Sequence, residues 1–293
     1  MPPEGQLDVV LLLRHFRWRV AFTWVFVLVE NTLLALIPLF IGRAIDAVLG
    51  QQSGALWEIS IVMGALIVVS VGRRAYDTRA YGTMRVWFGS ELVRRLGERP
   101  VSQVNARLDM SREMVDFLEA YVPELLTATV QVIVSIAILW HFDARLGLSG
   151  LCVIALLGVI YALFHNRFYR LNGHLNAQTE RQVHVLEQRR PDSLLTHLQR
   201  LRRSEIRLSD TDAVLYGTIF AAMFAFVLTN LWFAATIPAI TAGIIFAILS
   251  YSWELVESGS ALPAVLQQWT RLSEIRERLN EAQVDASSRA GAG

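Results

Sequence analysis

Six strongly apolar stretches punctuate the chain, at Val20–Ile41, Leu56–Val71, Leu125–Phe142, Leu146–Phe164, Tyr216–Ala235 and Ile240–Trp253. Runs of this kind predict helices that cross a membrane, although a span needs roughly 20 apolar residues and the second and sixth runs fall short. Their helices must therefore continue into polar sequence. Nothing stops them, because no proline or paired glycine interrupts Leu56 to Glu98, and Ile240 to Leu262 also lacks proline. Three short connections, Asp46–Ala55, Asp143–Leu146 and Thr236–Ala239, make three outward-pointing hairpins, joined by two longer cytoplasmic excursions. Ahead of the first run, Gln6–Phe16 places Leu7, Val10, Leu11 and Arg14 at helical spacing. A basic, partly apolar helix in that position either lies in the membrane interface or simply extends the first span. The expected fold is an all-α membrane protein. Residues 1–19 form an interfacial helix, 20–280 a six-helix transmembrane domain with long cytoplasmic extensions, and 281–293 a disordered tail.

Charge orients this scaffold. All 27 basic residues are arginine, and lysine is absent. Three precede the first run, nine lie from Arg73 to Arg112, nine from Arg167 to Arg207 and four follow the sixth, leaving only Arg43 and Arg145 elsewhere. Arginine-rich loops stay cytoplasmic, so both termini are expected inside the cell (inner) membrane. A net charge of +1 gives no reason to expect a nucleic-acid partner. The single Cys152 lies in an apolar run and excludes an intrachain disulfide. The Met-Pro-Pro-Glu start and the long first apolar run do not read as a cleavable signal.

Polar groups within the runs are the candidates for function. Glu30 lies ten residues beyond Val20, about 15 Å deep and near mid-bilayer, with Asn31 beside it. An ionisable group at that depth faces protein or water. The pair is either a polar patch on a substrate or proton path or an interhelical hydrogen bond. Ser250, Glu254, Glu257, Ser258 and Ala261 form one helical stripe at the inner end of the sixth run. It makes either a negative mouth for cationic substrates or a salt bridge to Arg73 or Arg74. Arg73 and Asp77, four apart, can pair with each other. Gln131 and Asn230 are single amides whose default is an interhelical hydrogen bond, and Ala221/Ala225 and Gly243/Ala247 permit close helix contact. The six histidines show no metal-ligand spacing, so no metal is expected. No G-x-S-x-G elbow appears either, which leaves an intramembrane hydrolase without a catalytic group.

Two stretches resemble a known family. Ile37-Pro-Leu-Phe-Ile-Gly-Arg-Ala-Ile-Asp46 is similar to the membrane domain of ATP-binding-cassette exporters, where a proline precedes a Gly-Arg-Ala-Ile-Asp-type turn at the outer end of the first helix. Arg73-Arg-Ala-Tyr-Asp-Thr-Arg79 resembles the cytoplasmic end of that family's second helix. The helix order and short outer loops agree. The resemblance implies a homodimer or heterodimer around a central cavity, with exchanged helices, opening alternately to either side and moving a small molecule.

Three departures shape the expectation. A P-loop needs a lysine to reach the outer phosphates, and this sequence has none. No catalytic residue and no cofactor is therefore expected in these residues; either ATP acts through a separate ATP-binding subunit or the protein works without ATP. The first cytoplasmic loop is short, with Asn105-Ala-Arg107 close after Pro100. The second carries Arg189, Arg190, Arg200, Arg202 and Arg203 in place of the family's usual pattern. Arg107, Arg189, Arg190, Arg202 and Arg203 are the expected docking points for a partner. A different class of reading is a non-transporting scaffold or regulator that retains the exporter fold.

Overall fold

A computed structural model describes residues 9–52, 54–96, 101–187 and 190–261, and every regular element among them is helical. In chain order these are α1 (Val9–His15), α2 (Arg17–Leu49), α3 (Gly54–Leu96) and α4 (Val101–Asp116). A π-helical turn (Phe117–Tyr121) follows, then α5 (Val122–Phe142), α6 (Ala144–Glu187) and α7 (Pro191–Ala234). A last helix, α8, occupies 242–261. The expected tail at 281–293, the start of the interfacial helix and any continuation of the sixth run beyond 261 lie outside the described residues.

Among the described residues, five helices are long and apolar enough to cross a membrane: Arg17–Leu49, Leu56–Arg94, Arg107–Phe142, Ala144–Glu187 and Pro191–Ala234. The sixth apolar run lies within α8 from residue 242 onward. Extension beyond the apolar runs is pronounced, since α3 has 43 residues and α6 and α7 have 44 each. None of the most apolar stretch of α3 is buried within the chain. That surface is suited to lipid, where backbone groups must be satisfied inside the helix.

The first connection differs from the turn implied by the Gly-Arg-Ala-Ile-Asp resemblance. α2 runs through Pro38 and on to Leu49, so Gly42 to Asp46 are helical. The chain turns only at Gly50, where Gln52 N–H donates to the Ala47 carbonyl (2.7 Å) and Gln51 N–H to that of Val48 (3.1 Å). Gln51 takes a positive φ of 57°. This is the left-handed closure that satisfies the last carbonyls of a helix.

The described residues fall into two compact units. The first draws on Met1–Ala137 and Ala239–Gly293, and contains α1 to most of α5, together with α8. Its core joins Leu12 of α1, Val20 of α2, a stripe of α3 (Ala80, Tyr81, Met84, Phe88, Leu92) and Met114, Val115, Phe117 and Leu118 of α4 and the π turn. Leu12 is fully buried, so this side of α1 packs on protein. Tyr81 Oη donates to the Leu118 carbonyl at 3.0 Å, and Arg85 pairs with Asp116 (2.6 Å) and Glu119, which secures the π turn to α3.

The second unit, Ile138–Pro238, is the α6–α7 hairpin with the end of α5. Leu157 and Ile160 of α6 and Leu215, Ile219, Met223 and Phe226 of α7 are buried in it. The α5–α6 turn is capped by Asp143, which accepts from Arg145 N–H (2.8 Å) and from its guanidinium (3.0 Å). The Arg145 side chain and then its backbone N–H hold the Asp143 carboxyl below the ordinary carboxylate range. Arg145 also donates to Thr236 Oγ1 at 3.0 Å, fastening the far end of α7. In the first unit Arg43 approaches Glu58 at 3.7 Å. Both arginines that fall outside the sequence clusters thus have a local acid at a hairpin turn, so neither adds an isolated positive charge there.

Candidate functional site: a buried polar network in the first unit

Helix geometry decides which polar groups of α2 can share a partner. Thr23 and Glu30 are seven apart, two turns of one face, whereas Glu30 and Asn31 point about 100° apart. On the antiparallel α3, Ser70, Arg73 and Asp77 follow the matching spacing. The two rows meet. Thr23 Oγ1 donates to Asp77 Oδ1 (2.8 Å), and Ser70 Oγ donates to Glu30 Oε1 (2.5 Å). Arg73 Nε lies 2.7 Å from Glu30 Oε2 and 3.9 Å from Asp77 Oδ2. The Glu30 side chain is only 13% exposed and that of Arg73 28%, so the ions are largely withdrawn from solvent. The Arg73 Nε–H makes no aligned hydrogen bond, and its contact with Glu30 is Coulombic rather than directed.

Asn31 turns away from this row. Its Nδ2 donates to the Val27 carbonyl (2.8 Å) and across to Thr127 Oγ1 on α5 (2.9 Å), and its Oδ1 has no partner. Thr127, Gln131 and Ser135 are spaced by four on α5 and so share a face. Gln131 and Ser135 are 5% and 0% exposed, and Gln131 Oε1 and Ser135 Oγ likewise have no partner. Three buried polar atoms on α2 and α5 are thus left open to hydrogen-bond partners. Buried polar atoms in that state are uncommon and call for a water, a ligand or a partner group.

α8 closes on α2 through small residues. A Cβ built on Gly42 would lie 2.5 Å from the Gly243 carbonyl oxygen, so the two backbones touch at this crossing. Asp46, one helical turn further along α2, caps α8 by accepting from Gly243 N–H (2.8 Å) and from Thr241 Oγ1 (2.6 Å). Further along, Tyr251 Oη donates to the Ala35 carbonyl at 2.6 Å. Replacing Asp46 with alanine is expected to cost about 1 kcal/mol, the usual value of a helix cap, with asparagine costing less because it keeps an acceptor. Faster amide exchange in the first turn of α8, with α6 and α7 unchanged, would verify this. Equal exchange in both proteins would refute it.

The sequence candidates divide accordingly. Glu30, Arg73 and Asp77 come together, and Asn31 joins α5 instead. Arg74 is exposed and outside the network. Arg73 is engaged by Glu30 rather than by the acids of α8. Glu254 is half-buried and accepts weakly from Ser258 (3.5 Å), while Glu257 is exposed and accepts from Trp253 Nε1 (3.2 Å). Asn230 is buried and accepts from Ser149 Oγ at 2.5 Å, the interhelical bond expected of it. Arg107 is half-buried in α4, Arg190 immediately precedes α7, and Arg202 and Arg203 are exposed on α7; Arg189 lies outside the described residues. Among the described residues no group of acids, histidines or cysteines could hold a metal.

Sequence reasoning passed over Thr23, Thr127, Ser135, Tyr251 and the cap formed by Asp46. The four-residue spacing of Thr127, Gln131 and Ser135 was a visible signal for part of this. Residues 10–243 match a family model described as ABC transporter transmembrane region. Comparison with curated proteins gives no match.

Proposed function

The chain belongs to the ABC transporter transmembrane region family, and we propose that it is a six-span, transport-type subunit of a cell (inner) membrane. Two such subunits, identical or related, would enclose a path for a small molecule. α8 supplies the sixth span: residues 242–261 rise about 30 Å, the thickness of the hydrocarbon core. The arginine clusters favour cytoplasmic termini. Compactness of the α6–α7 hairpin as a unit of its own supports helix exchange between two subunits. These residues hold no lysine for a P-loop, so any ATP hydrolysis would belong to a separate subunit, with Arg107, Arg190, Arg202 and Arg203 as its docking points.

The observation that carries the transport reading is the set of unpartnered buried polar atoms on α2 and α5. A membrane scaffold gains nothing from carrying them, since each costs desolvation that an apolar residue would avoid. A solute path needs such atoms. The competing scaffold reading draws on one specific feature: Glu30, the deepest acid, is already neutralised by Arg73.

Affinity purification of the tagged chain from its native membrane tests the two. Transport predicts that an ATPase co-purifies and that solute movement into vesicles falls at least about tenfold in Gln131→Leu/Ser135→Ala, a loss of two hydrogen-bonding groups. A stable dimer that brings no ATPase, with a cellular export phenotype untouched by this double substitution, would sink the transport reading in favour of the scaffold.

A further inference from the structure

Between the inner parts of α6 and α7, beside the proposed docking residue Arg190, lies a cleft of about 400 Å³. Its lining includes Gln178 and Arg181 of α6 and Asp192, Ser193, His197 and Arg200 of α7. Two features give it a positive, donor-rich character, and a third places an unpartnered buried polar atom beside it. Arg181 and Arg200 are exposed, and neither is in an ion pair among the described residues. The cleft sits at the start of a 44-residue helix whose N-cap, Arg190, makes no side-chain cap bond. The N–H groups of Asp192 and Ser193 therefore have no intrahelical acceptor, and the helix dipole favours an anion there. Lastly, His197 is only 5% exposed, lines the cleft and has an Nε2 with no hydrogen-bond partner. Against these stands a single carboxylate, that of Asp192.

We propose that this cleft binds a small oxyanion of the phosphate class. Guanidinium groups suit that chemistry because their planar donors match tetrahedral oxyanions and remain charged at any working pH. Helical rise separates the two sources of such an anion. Gln178 lies 14 residues past Phe164, the end of the apolar run, and Arg200 lies 16 residues before Tyr216, where the next begins. At 1.5 Å per residue the near edge of the cleft stands about 21–24 Å beyond the hydrocarbon, whereas the headgroup layer is only ~6 Å deep. The ligand is therefore a water-soluble anion and not a lipid headgroup. The site lies within one hairpin and stands whether or not the chain transports.

The test uses the full chain in phosphatidylcholine nanodiscs and follows tryptophan fluorescence on heating, with inorganic phosphate exchanged for chloride at constant ionic strength. Phosphate should raise the unfolding midpoint saturably, and Arg181→Gln/Arg200→Gln should require at least about tenfold more phosphate for the same rise. Broadening of the phosphorus-31 resonance of phosphate by the unmodified chain is a second readout that does not depend on the variant folding. The proposal is overturned if chloride serves as well as phosphate or if the rise survives the double substitution. It is equally overturned if no broadening occurs, or if only phosphatidylglycerol in the nanodisc stabilises the chain.

Discussion

Arg73→Leu is expected to lower the stability of the folded chain by about 3–5 kcal/mol, the usual cost of removing one member of a buried ion pair. Glu30 would then be left largely enclosed between α2 and α3 with only the Ser70 hydroxyl to satisfy it. Asp77 would lose the same cation and keep Thr23. The remaining charge, not the lost attraction, causes the damage, so removing it should restore the protein. Glu30→Gln in the Arg73→Leu background is expected to recover most of the loss, because glutamine can still accept from Ser70 and needs no counter-charge. A double-mutant cycle read from the fraction of monodisperse protein surviving a heat step in detergent measures this. Additive losses would mean that the two side chains do not share an environment. An Arg73→Leu protein as stable as the parent would mean that Glu30 reaches water.

Substitution at the α2–α8 crossing should be nearly as severe. A Cβ on Gly42 would lie 2.5 Å from the Gly243 carbonyl oxygen, and one on Gly243 would overlap the Gly42 carbonyl. Both obstacles are backbone, so no rotamer change relieves them. Overpacking of this kind costs about 1–3 kcal/mol when side chains can adjust, and more is expected where they cannot. α8 would be displaced from α2, weakening the Asp46 cap and the Tyr251–Ala35 bond together. Gly42→Ala and Gly243→Ala are therefore expected to reduce the yield of folded protein and to expose α8 to amide exchange. Gly217→Ala on α7 is the control, because nothing lies within 4 Å of its added methyl. There alanine should be neutral or slightly stabilising, through its better helix propensity. Equal behaviour at positions 42 and 217 would contradict the close approach.

Some of the network was readable before any coordinates. Arg73 and Asp77 stand four apart and had to share a helix face, and Asn230, a lone amide in an apolar run, needed a hydrogen-bond partner. Grouping Glu30 with Asn31 was the less secure step. Adjacent helical residues diverge by about 100°, so the two were bound to address different neighbours, α3 and α5. Glu254 and Glu257 share a stripe yet differ in burial, because a stripe has two edges and only packing decides which is covered. Treating Gly42 to Asp46 as a turn failed for a related reason. Gly-Arg-Ala-Ile-Asp has no intrinsic stop, and the helix ends at Gly50, where the left-handed Gln51 closes it.

The sequence by itself determined that the chain is helical, that at least five segments suit a bilayer, and that their helices overrun their apolar runs. Lipid imposes a length of apolar residues and forbids unpaired backbone, and both constraints are local enough to be written in a single run. Only the tertiary structure decided that Glu30 neutralises Arg73 and that Asp46 caps a helix almost 200 residues later. It also decided that Asn31, Gln131 and Ser135 retain open polar atoms, and that two arginines and a buried histidine line one cleft between α6 and α7. Each of those depends on the rotation of one helix about its axis relative to another. That rotation is set by packing over the whole interface, and no single segment encodes it.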